Sequence, residues 1–390
     1  MGITREDVIY CYKHFLKRNP DSEEVIQYYI HSTDSLAKLY DRFLGSLEYR
    51  RMHGGTEQDY LLKCYQPEGT EPFFWCLRAD GDDPVSNMVR FDTDLPEVQA
   101  VKKVADMACQ DEGRTVLDIG ANIGIYSITF ARDGWKSYAV EAGSRNAGAL
   151  RITAKMNSLD LEVIPCVVTD RSGKKYFVQN GPWGMVVDEN KAGSEELEAF
   201  CLDDIENTIG HSIERIDFVK MDCEGSEVAT VRGGAKFFKK YNYPPFYCEA
   251  NRFTLLMQGE WVGSLKDVFA KQGYRAYAMD EDGLLHEVHD MEHQIETISD
   301  YYFLHDIAPF QSLISDETIE IASEGYAEKF LDYVRQNNSR WDTISRFSTC
   351  MAIWKVEALY NQRDLHAFAE EHRPAFLKDT VLAGIMERLL

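Results

Sequence analysis

Thr115-Val116-Leu117-Asp118 is a strand-length apolar run that ends in a carboxylate. Ile119-Gly120-Ala121-Asn122-Ile123-Gly124 follows directly, and helical periodicity begins there. Glycines at such a turn let the backbone approach a ligand that a Cβ would block. A second short strand, Ser137 to Val140, ends at Glu141, 17 residues past Gly124. Strand and helix signals keep alternating from 114 to 305, and two more strands end in acids, at Asp222 and Glu249. That alternation predicts an α/β domain with a parallel sheet and helices on both faces.

The turn also limits the ligand. The fingerprint G-x-G-x-x-G is absent, so the glycine pattern that seats a dinucleotide pyrophosphate on a helix N-terminus is missing. A carboxylate at the end of the first strand would repel phosphate. It suits a ligand that carries a cationic amine or a sulfonium. S-adenosylmethionine has both and no phosphate, and Glu141 is placed to accept hydrogen bonds from two ribose hydroxyls. The competing reading is a tight strand–helix turn in a flavodoxin-like or dehydrogenase fold.

Composition removes other classes. The net charge is −23, and no run of Lys and Arg exceeds two adjacent residues outside the looser Lys236 to Lys240. Nucleic-acid binding and docking on an anionic membrane surface are therefore disfavoured. Nine scattered cysteines, an odd number with no Cys-x-x-Cys pair, fit free thiols in a reducing compartment. No apolar stretch reaches membrane-spanning length, and the N-terminus is charged rather than signal-like. The expectation is a cytoplasmic protein.

Four segments bear a family likeness. These are Asp118-Ile-Gly-Ala-Asn-Ile-Gly-Ile-Tyr126, Val140-Glu141, Val167-Val-Thr-Asp170 with Ser172-Gly173, and above all Phe218-Val-Lys-Met-Asp222-Cys-Glu224-Gly225-Ser-Glu227. Together they resemble the FkbM family of methyltransferases over roughly 114–305. The resemblance implies a Rossmann-like class I methyltransferase sheet and O-methyl transfer. It implies that Gly120, Ala121 and Gly124 shape the donor loop, with Asp118 and Asn122 beside the methionine end. It further implies that Glu141 takes the ribose and Asp170 lies near the adenine. Asp170 reads equally well as a turn acid ahead of Gly173.

Methyl transfer to a hydroxyl needs a base or a metal to lower the hydroxyl's pKa. Asp222, Glu224 and Glu249 are the catalytic candidates. Asp222, Glu249 and Asn251 would offer three oxygens to a Mg²⁺ ion. The alternative is that Glu224 and Glu227 cap the next helix. His286, His289 and His293 fall on one helical face but read as part of a solvated acidic loop, since 280–300 holds eight acids and no Lys or Arg. Trp183 is expected in a loop, either stacking on an acceptor sugar or plugging a local core.

The expected domains are a small helical domain (1–55), a connecting segment (56–112), the methyltransferase domain (113–308) and a helical C-terminal region (309–390). Phe15-Leu-Lys-Arg18-Asn-Pro20-Asp21 and Phe43-Leu-Gly-Ser46-Leu-Glu48-Tyr49 resemble a helical module appended to bacterial glycosyltransferases. This tilts the acceptor towards a sugar of a surface glycan or glycolipid. The expected partners are the methyl donor and a carbohydrate acceptor, with homo-oligomerisation left open. Rival readings are O-methylation of a small natural product, a non-catalytic scaffold with this fold, and a nicotinamide-dependent oxidoreductase.

Overall fold

The computed structural model describes residues 3–318 except 34–35, 45, 47, 50–59, 66–71, 79–84, 87–88, 90–94, 181–182, 188–193, 252–253, 256–257, 259, 261, 290 and 292–297. In chain order the helices are α1 (Arg5–Phe15), α2 (Glu23–Ser32), α3 (Leu36–Leu44), α4 (Pro96–Ala108), α5 (Ile125–Arg132), α6 (Ser144–Met156), α7 (Ile205–Ile209), α8 (Glu227–Arg232), α9 (Ala235–Lys240) and α10 (Val262–Ala270). The strands are β1 (Tyr60–Tyr65), β2 (Phe73–Arg78), β3 (Thr115–Ile119), β4 (Lys136–Val140), β5 (Leu161–Ile164), β6 (Val167–Val168) and β7 (Gly173–Asn180). They continue with β8 (Trp183–Val187), β9 (Ser194–Phe200), β10 (Phe218–Met221), β11 (Phe246–Asn251), β12 (Arg275–Met279), β13 (Leu285–Glu287) and β14 (Ile298–Leu304). The chain forms two compact units. One comprises 1–99, 121–165 and 179–184, and the other comprises 100–120, 166–178 and 185–390.

In the first unit the first two N-terminal helices carry side-chain caps. Thr4 and Asp7 form a reciprocal capping box at α1, and the Ser22 hydroxyl accepts from the Val25 N–H at α2. The apolar stripes meet, and Tyr12, Phe15, Ile26, Leu39, Tyr40 and Phe43 are buried in one core with Phe73, Phe74 and Trp75 of β2. The motif residues here have a packing role. Arg18 pairs with Glu48 at 2.5 Å and Asp21 at 2.9 Å, and its guanidinium lies 4.8 Å from the Tyr12 ring centroid. This joins the end of α1 to the segment after α3.

β1, which the sequence leaves unread, pairs antiparallel with β2. A polar clasp then ties β2 to α6. Asn157 accepts from the Phe74 N–H at 2.9 Å and donates to the Phe74 carbonyl at 2.8 Å and the Thr153 carbonyl at 2.7 Å. The Thr153 hydroxyl accepts from the Cys76 N–H at 3.0 Å. Asn157→Ala removes three bonds and strands backbone groups, so it is expected to cost about 2–3 kcal/mol. Urea unfolding should show a clear drop in midpoint. A drop worth less than about 0.5 kcal/mol would mean that water replaces the clasp. β4 and β5 pair in parallel in this unit, Ser137 opposite Leu161 through Val140 opposite Ile164.

In the second unit the strands run in the order β13-β12-β14-β11-β10-β3. β3, β10 and β11 are mutually parallel, as the alternation predicts. β14 is antiparallel to both of its neighbours, and β12 and β13 form an antiparallel pair, so the sheet is mixed rather than parallel. The cause is local. Asp280 to Gly283 is a tight turn whose Asp280 Oδ1 accepts from the N–H groups of Asp282 and Leu284, and so short a link joins only antiparallel strands. A smaller sheet pairs β9 in parallel with β6 and antiparallel with β7.

Two further expectations change. Trp183–Val187 is a strand, not a loop, consistent with its aromatic and β-branched content. His286, expected in a solvated acidic loop, lies on β13. Its ring instead bonds Asp280 Oδ2 at 2.7 Å and the Glu317 carbonyl at 3.0 Å, and the Asp280 bond raises its pKa. His293 and the helical region expected after 318 lie outside the described residues. Among the described residues, no helix is long and apolar enough to cross a membrane.

Candidate active site

The run from Asp118 to Gly124 passes from one unit to the other after Gly120, and each side has its own geometry. On the second-unit side, β3 and β10 lie in register with Asp118 opposite Lys220 and Ile119 opposite Met221. Asp118 is fully buried and Lys220 is 5% exposed. The Lys220 ammonium donates to the Gly120 carbonyl at 3.1 Å and to Asp222 Oδ2 at 3.3 Å, and lies 3.7 Å from Asp118 Oδ1. Burial alone would suppress the charge on Lys220. Asp222, Asp118 and Glu249 outweigh that and raise its pKa above the usual lysine value. The Asp222 N–H donates to the Ile119 carbonyl at 2.9 Å, so the two strands stay paired beyond their ends. Gly120 sits at φ +76°, and a Cβ there would lie 1.6 Å from the Asp222 carbonyl oxygen.

β10 and β11 pair with Met221 opposite Cys248, which sets Asp222 and Glu249 at neighbouring strand ends. Between β10 and α8 the chain turns through Glu224 at φ +51° and Gly225 at φ +98°. Glu227 supports that turn, since its Oε1 accepts from the N–H groups of Cys223 at 2.9 Å and Gly225 at 3.2 Å. These bonds fall on the turn ahead of α8, not on the first N–H groups of the helix, whose N-cap Ser226 makes no side-chain cap bond. One carboxylate oxygen each of Asp222, Glu224 and Glu249 falls within 4.8 Å of the others, close enough to share a cation. Asn251, grouped with Asp222 and Glu249 on sequence grounds, uses its side-chain oxygen to accept from the Thr254 N–H at 3.4 Å.

This crowding controls protonation. Burial raises the pKa of Glu224, and the charges of Asp222 and Glu227 raise it further, against a smaller opposing effect of Lys220. Burial and the Asp222, Glu224 and Asp300 charges raise that of Glu249. Burial pushes Glu227 up to about 7 despite its backbone bonds. The second carboxylate oxygens of Glu224 and Glu227 are buried without a hydrogen-bond partner. At neutral pH such a cluster holds protons that acids in water would have released.

On the first-unit side, Glu141 is 7% exposed at the end of β4. Its Oε2 accepts from the Asn122 N–H at 2.8 Å and its Oε1 from the Gly143 N–H at 2.7 Å. The Asn122 side chain accepts from the Ile123 N–H at 2.8 Å, and the Ala121 N–H donates to the Val140 carbonyl at 2.9 Å. A Cβ on Gly124 would lie 2.2 Å from Leu150 of α6. Glu141 is thus both a candidate ribose acceptor and the clamp on the 121–124 turn. A carboxylate has about four acceptor sites, so two backbone bonds leave capacity for a ligand. Asp170, in the second unit just after β6, is partly exposed, 3.6 Å from Arg171 and within 3.4 Å of the Thr169 hydroxyl.

Reading the sequence found the carboxylates but missed Lys220. The signal was present as a lone lysine inside an otherwise apolar strand, one residue from the strand's end.

The methyltransferase likeness extends to known proteins. Residues 118–276 match the sequence profile of the methyltransferase FkbM domain. No curated protein sequence matches the chain. Among solved structures, a methyltransferase FkbM from Methylobacillus flagellatus KT is 16% identical, with 50% of this chain aligned to 44% of that one at a TM-score of 0.32. An O-methyltransferase from Bacillus cereus in complex with SAH is 14% identical, with 56% of this chain aligned to 84% of that one at a TM-score of 0.30. The aligned part spans less than half the length of the Methylobacillus protein. The family expected from the run Asp118 to Gly124 and from Phe218 to Glu227 is the one whose methyltransferase domain residues 118–276 match.

Proposed function

We propose that the chain is an S-adenosylmethionine-dependent O-methyltransferase whose acceptor is a sugar hydroxyl of a bacterial surface glycan or glycolipid. The observation that carries the reaction type is the acid cluster of Asp222, Glu224 and Glu249 at the ends of β10 and β11. A hydroxyl loses its proton as its oxygen bonds carbon, and an acid whose pKa is raised is a stronger base once ionised. Glu249 fits the proton acceptor, with Asp222 beside the methyl group and Glu224 shaping the acceptor side. The donor, when bound, supplies a methyl carbon on a sulfonium. Asp118, Gly120, Ala121, Asn122 and Gly124 form its turn, Glu141 takes the ribose, and Asp170 lies towards the adenine. The sugar acceptor rests on the likeness of Phe15–Asp21 and Phe43–Tyr49 to a module found on glycosyltransferases, and the cytoplasm is the matching location.

Calorimetry with S-adenosylhomocysteine tests the donor site. Saturable binding by the wild type is expected. Glu141→Ala should weaken it about 10- to 100-fold, as for a lost hydrogen bond to a charged group plus a loosened turn. Absence of binding by the wild type would overturn the reading. Transfer of a labelled methyl group to a polysaccharide extract, and not to a panel of small phenols and polyketides, tests the acceptor.

A further inference from the structure

We propose that Lys220 is a positioning residue for methyl transfer, its ammonium fixing the donor turn at Gly120 to the acids Asp118 and Asp222. The proposal rests on the methyltransferase reading of those residues. Its geometry is independent of it. Lys220 is 5% exposed, and its Nζ meets the Gly120 carbonyl at 3.1 Å, Asp222 Oδ2 at 3.3 Å and Asp118 Oδ1 at 3.7 Å. These three groups sit on two strands and the turn after one of them. A lysine serves them as a compact point charge: it donates to the Gly120 carbonyl and to Asp222, and its charge faces Asp118.

A simpler role would be charge balance within a buried acid cluster. The contact with the Gly120 carbonyl speaks for more than that. A backbone carbonyl needs no counter-ion, and this one belongs to the residue held at φ +76° against the Asp222 backbone. Fixing that carbonyl fixes the direction in which the chain leaves β3 towards Ala121 and Asn122. Lys220 would thus act through the turn and through Asp222 rather than by touching the acceptor.

The test uses the full chain and S-adenosylhomocysteine as the probe. Lys220→Met should keep a cooperative thermal transition yet bind the probe about 10- to 100-fold more weakly. Lys220→Arg, which restores charge and donors, should recover binding to within about threefold, an outcome that a purely steric role would not give. Lys220→Gln keeps one donor for the Gly120 carbonyl without the charge. It should lie between the two and serves if the methionine variant fails to fold. In a double-mutant cycle, Lys220→Met with Asp222→Asn should bind no more weakly than Lys220→Met alone, because both changes cut one connection. Wild-type affinity in both Lys220→Met and Lys220→Gln, or losses that add in the double variant, would overturn the proposal while leaving the donor reading intact. A wild type that binds no S-adenosylhomocysteine would overturn both.

Discussion

Gly120→Ala is expected to lower the melting temperature by roughly 6–15 °C and to abolish measurable binding of S-adenosylhomocysteine. Two costs combine. The residue sits at φ +76°, where a Cβ costs about 1–2 kcal/mol. The new methyl would also lie 1.6 Å from the Asp222 carbonyl oxygen and 2.7 Å from its carbon, both backbone atoms that cannot rotate away. Relief requires β3 and β10 to part at their ends. That would break the bond from the Asp222 N–H to the Ile119 carbonyl, and overpacking of this kind costs about 1–3 kcal/mol more. Gly113→Ala is the control. Gly113 has φ +75°, but a Cβ there would meet nothing within 4 Å, so only the conformational cost applies. Thermal melts and calorimetry on the two variants separate the effects. Equal melting temperatures for Gly120→Ala and Gly113→Ala would show that the strand ends yield freely and that the crowding has no consequence.

The features readable in the sequence are the ones set by near neighbours. Asp118, Glu141, Asp222 and Glu249 each close an apolar run, and each lies in or directly after a strand. Thr4, Asp7 and Ser22 cap helices because an N-cap is decided within four residues. What escaped depends on distant parts of the chain. Asn157 caps the end of α6, and its clasp on Phe74 spans 83 residues. β14 inserts between β11 and β12, out of chain order, and a period-two pattern carries no information about which strand is adjacent. Lys220 stands out as a lone lysine in an apolar strand, but only the register sets it opposite Asp118. Glu227 reads as a helix-starting acid, and only the backward reach of its carboxylate to Cys223 and Gly225 shows what it supports.

Glu249→Gln is expected to raise stability at neutral pH while lowering methyl transfer by about 10²- to 10⁴-fold, the usual range for a lost general base. The stability effect follows from the sign of its pKa shift. The ordinary value of this carboxyl is 4.5, and burial with the Asp222, Glu224 and Asp300 charges raises it in the fold. Above pH 4.5 the unfolded chain releases this proton while the folded protein keeps it, so the unfolded state gains free energy as pH rises. The loss of wild-type stability approaches about 1.4 kcal/mol per pH unit in that window. It stops only when pH passes the raised folded value. Glutamine has the shape of the protonated acid and no proton to lose. The variant should therefore match the wild type near pH 4.5 and exceed it increasingly above, by up to about 3.5 kcal/mol at neutral pH, or roughly 7–14 °C in melting temperature. Melting both proteins from pH 5 to 9 and plotting the difference isolates this group from the rest of the chain's charge. A difference that does not grow with pH, or that favours the wild type at pH 8, would mean that Glu249 is ionised in the fold, and the raised pKa argued from its burial and its acidic neighbours would fail.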